Sequence, residues 1–322
     1  MAFHIFLLVI GFLLLLKGAD ILVDGASNIA KKFNIPEIVI GLTIVSIGTS
    51  MPEMIVSTAS ALAGHSDMSI GNIVGSNLVN LLLILGLCAM VKPLIFKKET
   101  KWIENFIALF VALTLLFLGN NSIGNNMITR KEGIFLLFLC ILFFIYNIVM
   151  AKKGNQFDDE ALVIFEDKKK ISTLKSTIAI IIGIVALKFG GDFVIDGATY
   201  IAQVFGISEK IIGLTILAIS TSLPELITSV TATFKGETDM AIGNIIGSNI
   251  FNILLIIGVS AVITPIEYSL SYNKDLMILI GASTLFVLFP FIGKKDQMTR
   301  VNGALFVTAY IIYMINLVMS NL

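Results

Sequence analysis

Two glutamates stand where carboxylates are costly. Glu53 follows Pro52 in "GLTIVSIGTSMPEMIVSTASALAG", and Glu225 follows Pro224 in "GLTILAISTSLPELITSVTATFKG"; both runs are otherwise mostly apolar or hydroxyl-bearing. An acid at bilayer depth costs several kcal/mol unless it is paired, protonated or in a wet cavity, so both are read as functional. Three or four residues apart on the helix face of Glu53 lie Ser46, Thr49 or Ser50, and Ser57. The matching set around Glu225 is Ala218, Thr221 or Ser222, and Ser229. Pro52 and Pro224 bring no N–H, so the carbonyls one turn back, of Gly48 and Ser220, lose their usual donor and a kink or unwound turn is expected. In hydrocarbon such carbonyls need a partner, and a cation is a suitable one.

A second polar stripe follows each glutamate: Asn72, Ser76 and Asn80, then Asn244, Ser248 and Asn252. Gly71 with Gly75, and Gly243 with Gly247, give small faces that let backbones approach. Carboxylate, amide, hydroxyl and carbonyl oxygens together suit a hard cation such as Ca²⁺, whose ligands lie at about 2.3 to 2.6 Å. No intramembrane His or Cys cluster argues for zinc or copper. Interhelical hydrogen bonding accounts for roughly half of the Ser, Thr and Asn residues, but not for the glutamates. Asp20, Asp24, Asp192 and Asp196 fall near helix ends and read equally as interfacial anchors or ion-entry residues. His65, Asp67, Glu237 and Asp239 read as solvated turn residues.

The elements that must position these groups are transmembrane helices. The chain is 57% hydrophobic and 14% charged, which places it with membrane proteins before any motif is read. Ten apolar runs are long enough to cross about 30 Å of hydrocarbon as helices: 3–30, 36–63, 69–91, 102–118, 132–151, 173–202, 208–234, 240–263, 274–292 and 301–320. The first run has no basic n-region or cleavage site and continues past Lys17, so it reads as a span and not as a signal peptide. Cys88 and Cys140 fall in different spans and read as packing residues. A net charge of zero without a basic stripe gives no case for nucleic acid. Lys and Arg concentrate in alternate loops, among them Lys31, Lys32, Lys97, Lys98 and the run at 168–170, which puts both termini outside the cytoplasm.

The segment of 46 residues from Gly41 returns from Gly213 with about 26 identities and no gap. "GADILVDGASNIAKKF" from Gly18 matches "GGDFVIDGATYIAQVF" from Gly190 at the same offset, and "ITRKEGIFLLF" from Ile128 echoes "MTRVNGALFVT" from Met298. The expected organisation is a first five-helix repeat at 1–151, a cytoplasmic linker at 152–172 and a second repeat at 173–322. Five is odd, so the second repeat enters the membrane from the opposite face. The fold class is therefore an all-α membrane protein of ten transmembrane helices, arranged as two inverted five-helix repeats. That is an architecture of secondary transporters with midplane substrate sites.

With these residues placed, the sequence resembles the sodium/calcium exchanger family within the cation/calcium exchanger superfamily. "GTSMPE" and "STSLPE" are similar to its G-T-S-x-P-E signature, and "GNIVGSN" and "GNIIGSN" to its second motif. The layout looks most like the compact bacterial inner-membrane calcium/sodium antiporters. The resemblance implies cation ligands at Thr49, Ser50, Glu53, Ser76 and Asn80, and at Thr221, Ser222, Glu225, Ser248 and Asn252, with backbone carbonyls near Ser46 and Ala218. It implies a central cation bridged by the two glutamates, flanking Na⁺ sites, three Na⁺ per Ca²⁺, and first and sixth helices that slide across a fixed core. Two departures stand out: Ser220 replaces the signature Gly, and Asn252 stands where some members, including potassium-dependent ones, carry Asp. The latter argues against potassium cotransport.

The expected activity is Na⁺/Ca²⁺ antiport across the cell (inner) membrane. Ca²⁺ and Na⁺ are the transported ions, the lipid bilayer is the surrounding partner, and no cofactor or protein partner is indicated. A Ca²⁺/H⁺ or other cation/H⁺ antiporter, with the same glutamates carrying protons, is the alternative. A passive channel is separated from both by counterflow. No Ser-His or paired Asp motif at bilayer depth supports an enzyme.

Overall fold

A computed structural model describes residues 1–96, 103–120, 126–154, 172–205, 220–291 and 296–321. Ala218 and most of the expected linker lie outside the described residues. The described chain is helical apart from four two-residue strands. Seven of its helices are long and apolar enough to cross a membrane, or eight if the interrupted pair Glu37–Thr49 and Met51–Leu62 counts as one span. Ile103–Gly119 is apolar but has only 17 residues, and the start of the expected seventh span falls on residues that are not described.

The chain divides into two compact units, and each draws on both halves of the sequence. The first is Met1–Thr49 with Phe144–Asn244; the second is Ser50–Phe143 with Ile245–Leu322.

In the first unit, α1 (Ala2–Phe33) ends at Asn34, whose left-handed φ of 54° is a conformation that Asn tolerates better than other side-chain-bearing residues. After it come α2 (Glu37–Ile40), a π-helical turn at Gly41–Val45, and α3 (Ser46–Thr49). The second half contributes α9 (Thr173–Val204), α10 (Leu223–Lys235) and the start of α11 (Thr238–Phe251). Helices α1 and α9 touch backbone to backbone through glycines. A Cβ at Gly11 would lie 2.8 Å from the carbonyl oxygen of Gly190, and one at Gly183 would lie 2.8 Å from that of Gly18. The partner numbers fall as the α1 numbers rise, so the helices are antiparallel. Gly183 and Gly190 are also the repeat equivalents of Gly11 and Gly18, so the two contacts exchange under the repeat. Leu15, Ala19, Leu22, Val23, Val45 and Leu187 form the core around this seam.

The second unit begins with α4 (Met51–Leu62). It continues through α5 (Ser66–Leu78), a π-helical stretch at Val79–Ile84, α6 (Leu85–Val91), β1 (Leu94–Ile95) and α7 (Ile103–Gly119). Next are β2 (Met127–Ile128) and most of α8 (Arg130–Gly154). From the other half come the end of α11, a π-helical stretch at Asn252–Ile257, α12 (Gly258–Ile263), β3 (Ile266–Glu267), α13 (Tyr272–Leu288), β4 (Gln297–Met298) and α14 (Arg300–Asn321). Strand β1 pairs antiparallel with β4, and β2 with β3, so each small ladder joins one half of the sequence to the other.

Burial sorts the helices. In Ser66–Val91 and Thr238–Ile263, 78% and 83% of the most apolar window is buried, against 22% in Arg130–Lys152 and 17% in Arg300–Ser320. The first two are interior helices. The outer ones expose Ile134, Phe138, Ile141, Leu305 and Ile312, an apolar surface suited to lipid and not to water.

Candidate cation site

In the second unit the helix entering from α3 is interrupted at Ser50, and α4 starts with Met51, Pro52 and Glu53. Pro52 therefore occupies the first turn, where a backbone N–H has no helical acceptor to meet, and its fixed φ suits the start of a helix. The expected break is present at Ser50, two residues before the proline. Glu53 is the third residue of the new helix and is fully buried, where the partial positive charge of a helix start favours a carboxylate. The hydroxyl of Ser50 donates to the Ser248 hydroxyl at 2.9 Å, which joins two of the expected ligands. Ser76, also buried, lies on α5.

Asn80 and Asn252 both sit at the beginning of π-helical stretches in the interior helices. A π-bulge displaces the backbone ladder by one residue and is frequent at functional sites. Both asparagines are fully buried. Neither amide atom of Asn80 has a hydrogen-bond partner, and the Oδ1 of Asn252 has none, while its Nδ2 donates to Asn77 Oδ1 at 2.9 Å. A buried acceptor left unmade costs about 1 to 3 kcal/mol. Two such amide oxygens on repeat-equivalent bulges fit a hard cation.

In the first unit, Glu225 is likewise the third residue of a proline-opened helix, α10, and is fully buried. Thr221 and Ser222 form the turn before it and are buried. Thr49 lies within hydrogen-bond reach of the Ser46 carbonyl at 3.3 Å and of Asn244 Oδ1 at 3.1 Å; Ser46 is itself fully buried.

Some of the polar stripe has an ordinary explanation. Asn72 Nδ2 donates to the Ser57 hydroxyl at 2.9 Å in the second unit, and Asn244 Nδ2 donates to the Ser229 hydroxyl at 2.9 Å in the first. These repeat-equivalent pairs fasten adjacent helices. Asp20 and Asp24 pair with Lys235, each at 2.6 Å, and Asp192 pairs with Lys188 at 2.7 Å. Asp20, Asp24 and Asp192 are thus ion-paired surface groups. Glu237 accepts from Ser27 at 2.9 Å and Lys31 at 3.1 Å, so this turn residue is tied to α1 and not simply solvated.

Sequence reasoning passed over three features: the π-bulges, the buried Glu104 and Asn105 of α7, and Asn77 with Asn249. Asn77 stands in the quoted "GNIVGSN" motif but one residue off the stripe of Asn72, Ser76 and Asn80, so a face-based search skips it.

The profile of the family described as sodium/calcium exchanger protein matches residues 3–149 and 175–319. The chain belongs to this family. It is 38% identical over 316 residues to the inner membrane protein YrbG of Escherichia coli (strain K12), with 96% of this chain and 94% of that protein covered. It is 30% identical over 342 residues to the sodium/calcium exchanger MaX1 of Methanosarcina acetivorans, covering 96% of this chain and 97% of that one. Among solved structures, the sodium-calcium exchanger NCX_Mj soaked with 10 mM Na⁺ and zero Ca²⁺ superposes with a TM-score of 0.82 at 33% identity, over 96% of this chain and 97% of that chain. Membership of the sodium/calcium exchanger family makes the chain a multi-pass membrane transporter. The buried glutamates and unspent amide oxygens thereby become transport-site candidates.

Proposed function

We propose that the protein is a secondary active antiporter that exchanges Na⁺ for Ca²⁺ by alternating access, with Glu53 and Glu225 as its acidic cation ligands. Its ten spans form two inverted five-helix repeats, 1–151 and 173–322, joined by a cytoplasmic linker, with both termini outside the cytoplasm. Thr49, Ser50, Ser76, Asn80, Thr221, Ser222, Ser248 and Asn252 supply neutral oxygens, and the backbone at Ser46 and Ala218 supplies carbonyls.

One observation carries the reading: two fully buried glutamates, 172 residues apart like the repeats themselves, each occupy the third position of a helix opened by a proline. The antiparallel, exchanging glycine contacts of α1 and α9 support the inversion. With Asn80 and Asn252 neutral, the two carboxylates carry the proposed site's negative charge, and one Ca²⁺ balances it. Two Na⁺ ions spread over the adjacent oxygens do the same. Holding both kinds of ion at once leaves excess positive charge in a poorly solvated place. The ions therefore compete, and competition for alternately exposed ligands gives exchange.

Ca²⁺ uptake into vesicles under imposed Na⁺, K⁺ or H⁺ gradients, one at a time, tests the coupling. Uptake driven by outward Na⁺ and accelerated by trans Na⁺ is expected. Uptake driven by a pH gradient with Na⁺ absent identifies a Ca²⁺/H⁺ antiporter instead.

A further inference from the structure

Asn77 and Asn249 are repeat equivalents that grip each other in the second unit. Asn77 Nδ2 donates to the Asn249 carbonyl at 3.2 Å, and Asn249 Nδ2 donates to the Asn77 carbonyl at 3.3 Å. Such reciprocal bonds between residues 172 apart are what a two-fold relation between repeats produces. Their remaining amide oxygens break the symmetry. Asn77 Oδ1 accepts the Nδ2 of Asn252 at 2.9 Å. The equivalent bond would run from Asn80 Nδ2 to Asn249 Oδ1, yet both atoms lack partners. Asn77 and Asn249 both line a cavity of about 10 Å³, the space of roughly one water, with Asn105 and Ser283 on its wall.

The Asn252 amide has one donor end and one acceptor end, and only the acceptor end can face a cation. With Nδ2 committed to Asn77, Oδ1 is the end left to present. Asn77 is itself held by its bond to the Asn249 carbonyl, so it cannot turn its own Nδ2 toward Asn252. We propose that Asn77 is a positioning residue for cation binding: it fixes the Asn252 amide with its oxygen free for the transported ion. Asn249 holds Asn77 through its backbone carbonyl, not through its side-chain oxygen. The inference rests on the reading of Asn252 as a cation ligand.

The test measures the KM for Ca²⁺ and the maximal rate of Na⁺-driven uptake in proteoliposomes of the full chain. Asn77→Leu removes the acceptor and frees Asn252 to turn; KM is expected to rise about tenfold, with the maximal rate changed by less than about twofold. Asn77→Asp keeps an oxygen for Asn252 and should return KM to the wild-type value or below. Asn249→Leu removes the same kind of amide-to-carbonyl bond without touching a ligand, and its KM should stay within about twofold of wild type. Should Asn77→Leu fail to assemble, Asn77→Ser, too short to reach Asn252, carries the same expectation. An unchanged KM in the Asn77 variant, or equal shifts at Asn77 and Asn249, overturns the positioning role and leaves a structural rung between helices. Asn252→Leu in the same assay separates the two readings: if it leaves the KM for Ca²⁺ unchanged, Asn252 is not a ligand and the underlying assignment fails.

Discussion

Residues of one chemical type divide here by what their polar atoms already do. Ser57 and Ser229 accept amide hydrogens from Asn72 and Asn244 and have a fastening role. Ser57→Ala is expected to lower thermal stability in detergent by about 0.6 to 1 kcal/mol, the usual worth of such a bond, and to leave the KM for Ca²⁺ near wild type. A large KM shift without loss of stability would move Ser57 into the ion pathway. Glu237, in the turn after α10, gives a pH effect of known sign. Burial pushes its carboxyl up, but hydrogen bonds with Glu37, Lys31 and Ser27 outweigh that and hold it below its ordinary value of 4.5. A carboxylate depressed in the folded state contributes stability above its unfolded pKa and loses it as pH falls through the lower folded one. The loss of thermal stability on acidification below about pH 4.5 should therefore be smaller in Glu237→Gln; identical acid profiles contradict the assignment.

At the scale of elements, proline and glycine do most of the positioning. Pro52 and Pro224 were legible as helix breaks because a missing N–H has a local consequence. The structure sharpens this, since each proline is the second residue of a helix and its glutamate the third, within the first turn. The π-bulges at Asn80 and Asn252 were not legible. Shifting a hydrogen-bond ladder by one residue leaves the 3.6-residue pattern nearly intact, so apolar periodicity carries no mark of it. The α1–α9 seam was legible only as repeated glycines, not as contact. A Cβ at Gly183 would meet the Leu22 Cβ at 2.7 Å and the Gly18 carbonyl oxygen at 2.8 Å, so Gly183→Leu must push the helices apart. A lower melting temperature and at least about a tenfold loss of exchange rate are expected; wild-type values in both would show that the seam tolerates separation.

For the whole molecule, the sequence carried the class, the duplicated halves and the list of buried oxygen-bearing residues, because apolar length, an ungapped repeat and an acid in hydrocarbon are each local signals. Every expected ligand among the described residues is buried. What pattern could not supply is which polar atoms are already spent, as in the Asn77–Asn252 bond, since that depends on helices meeting through tertiary packing. The compact units likewise cut across the repeats, each taking parts of both. The central claim is that the two repeat-equivalent glutamates bind the transported cation. It is tested most directly by Na⁺-driven uptake of radiolabelled Ca²⁺ into vesicles carrying Glu53→Gln or Glu225→Gln, each inserted at the wild-type level. Each variant is predicted to abolish uptake; near-normal flux in either would contradict the site.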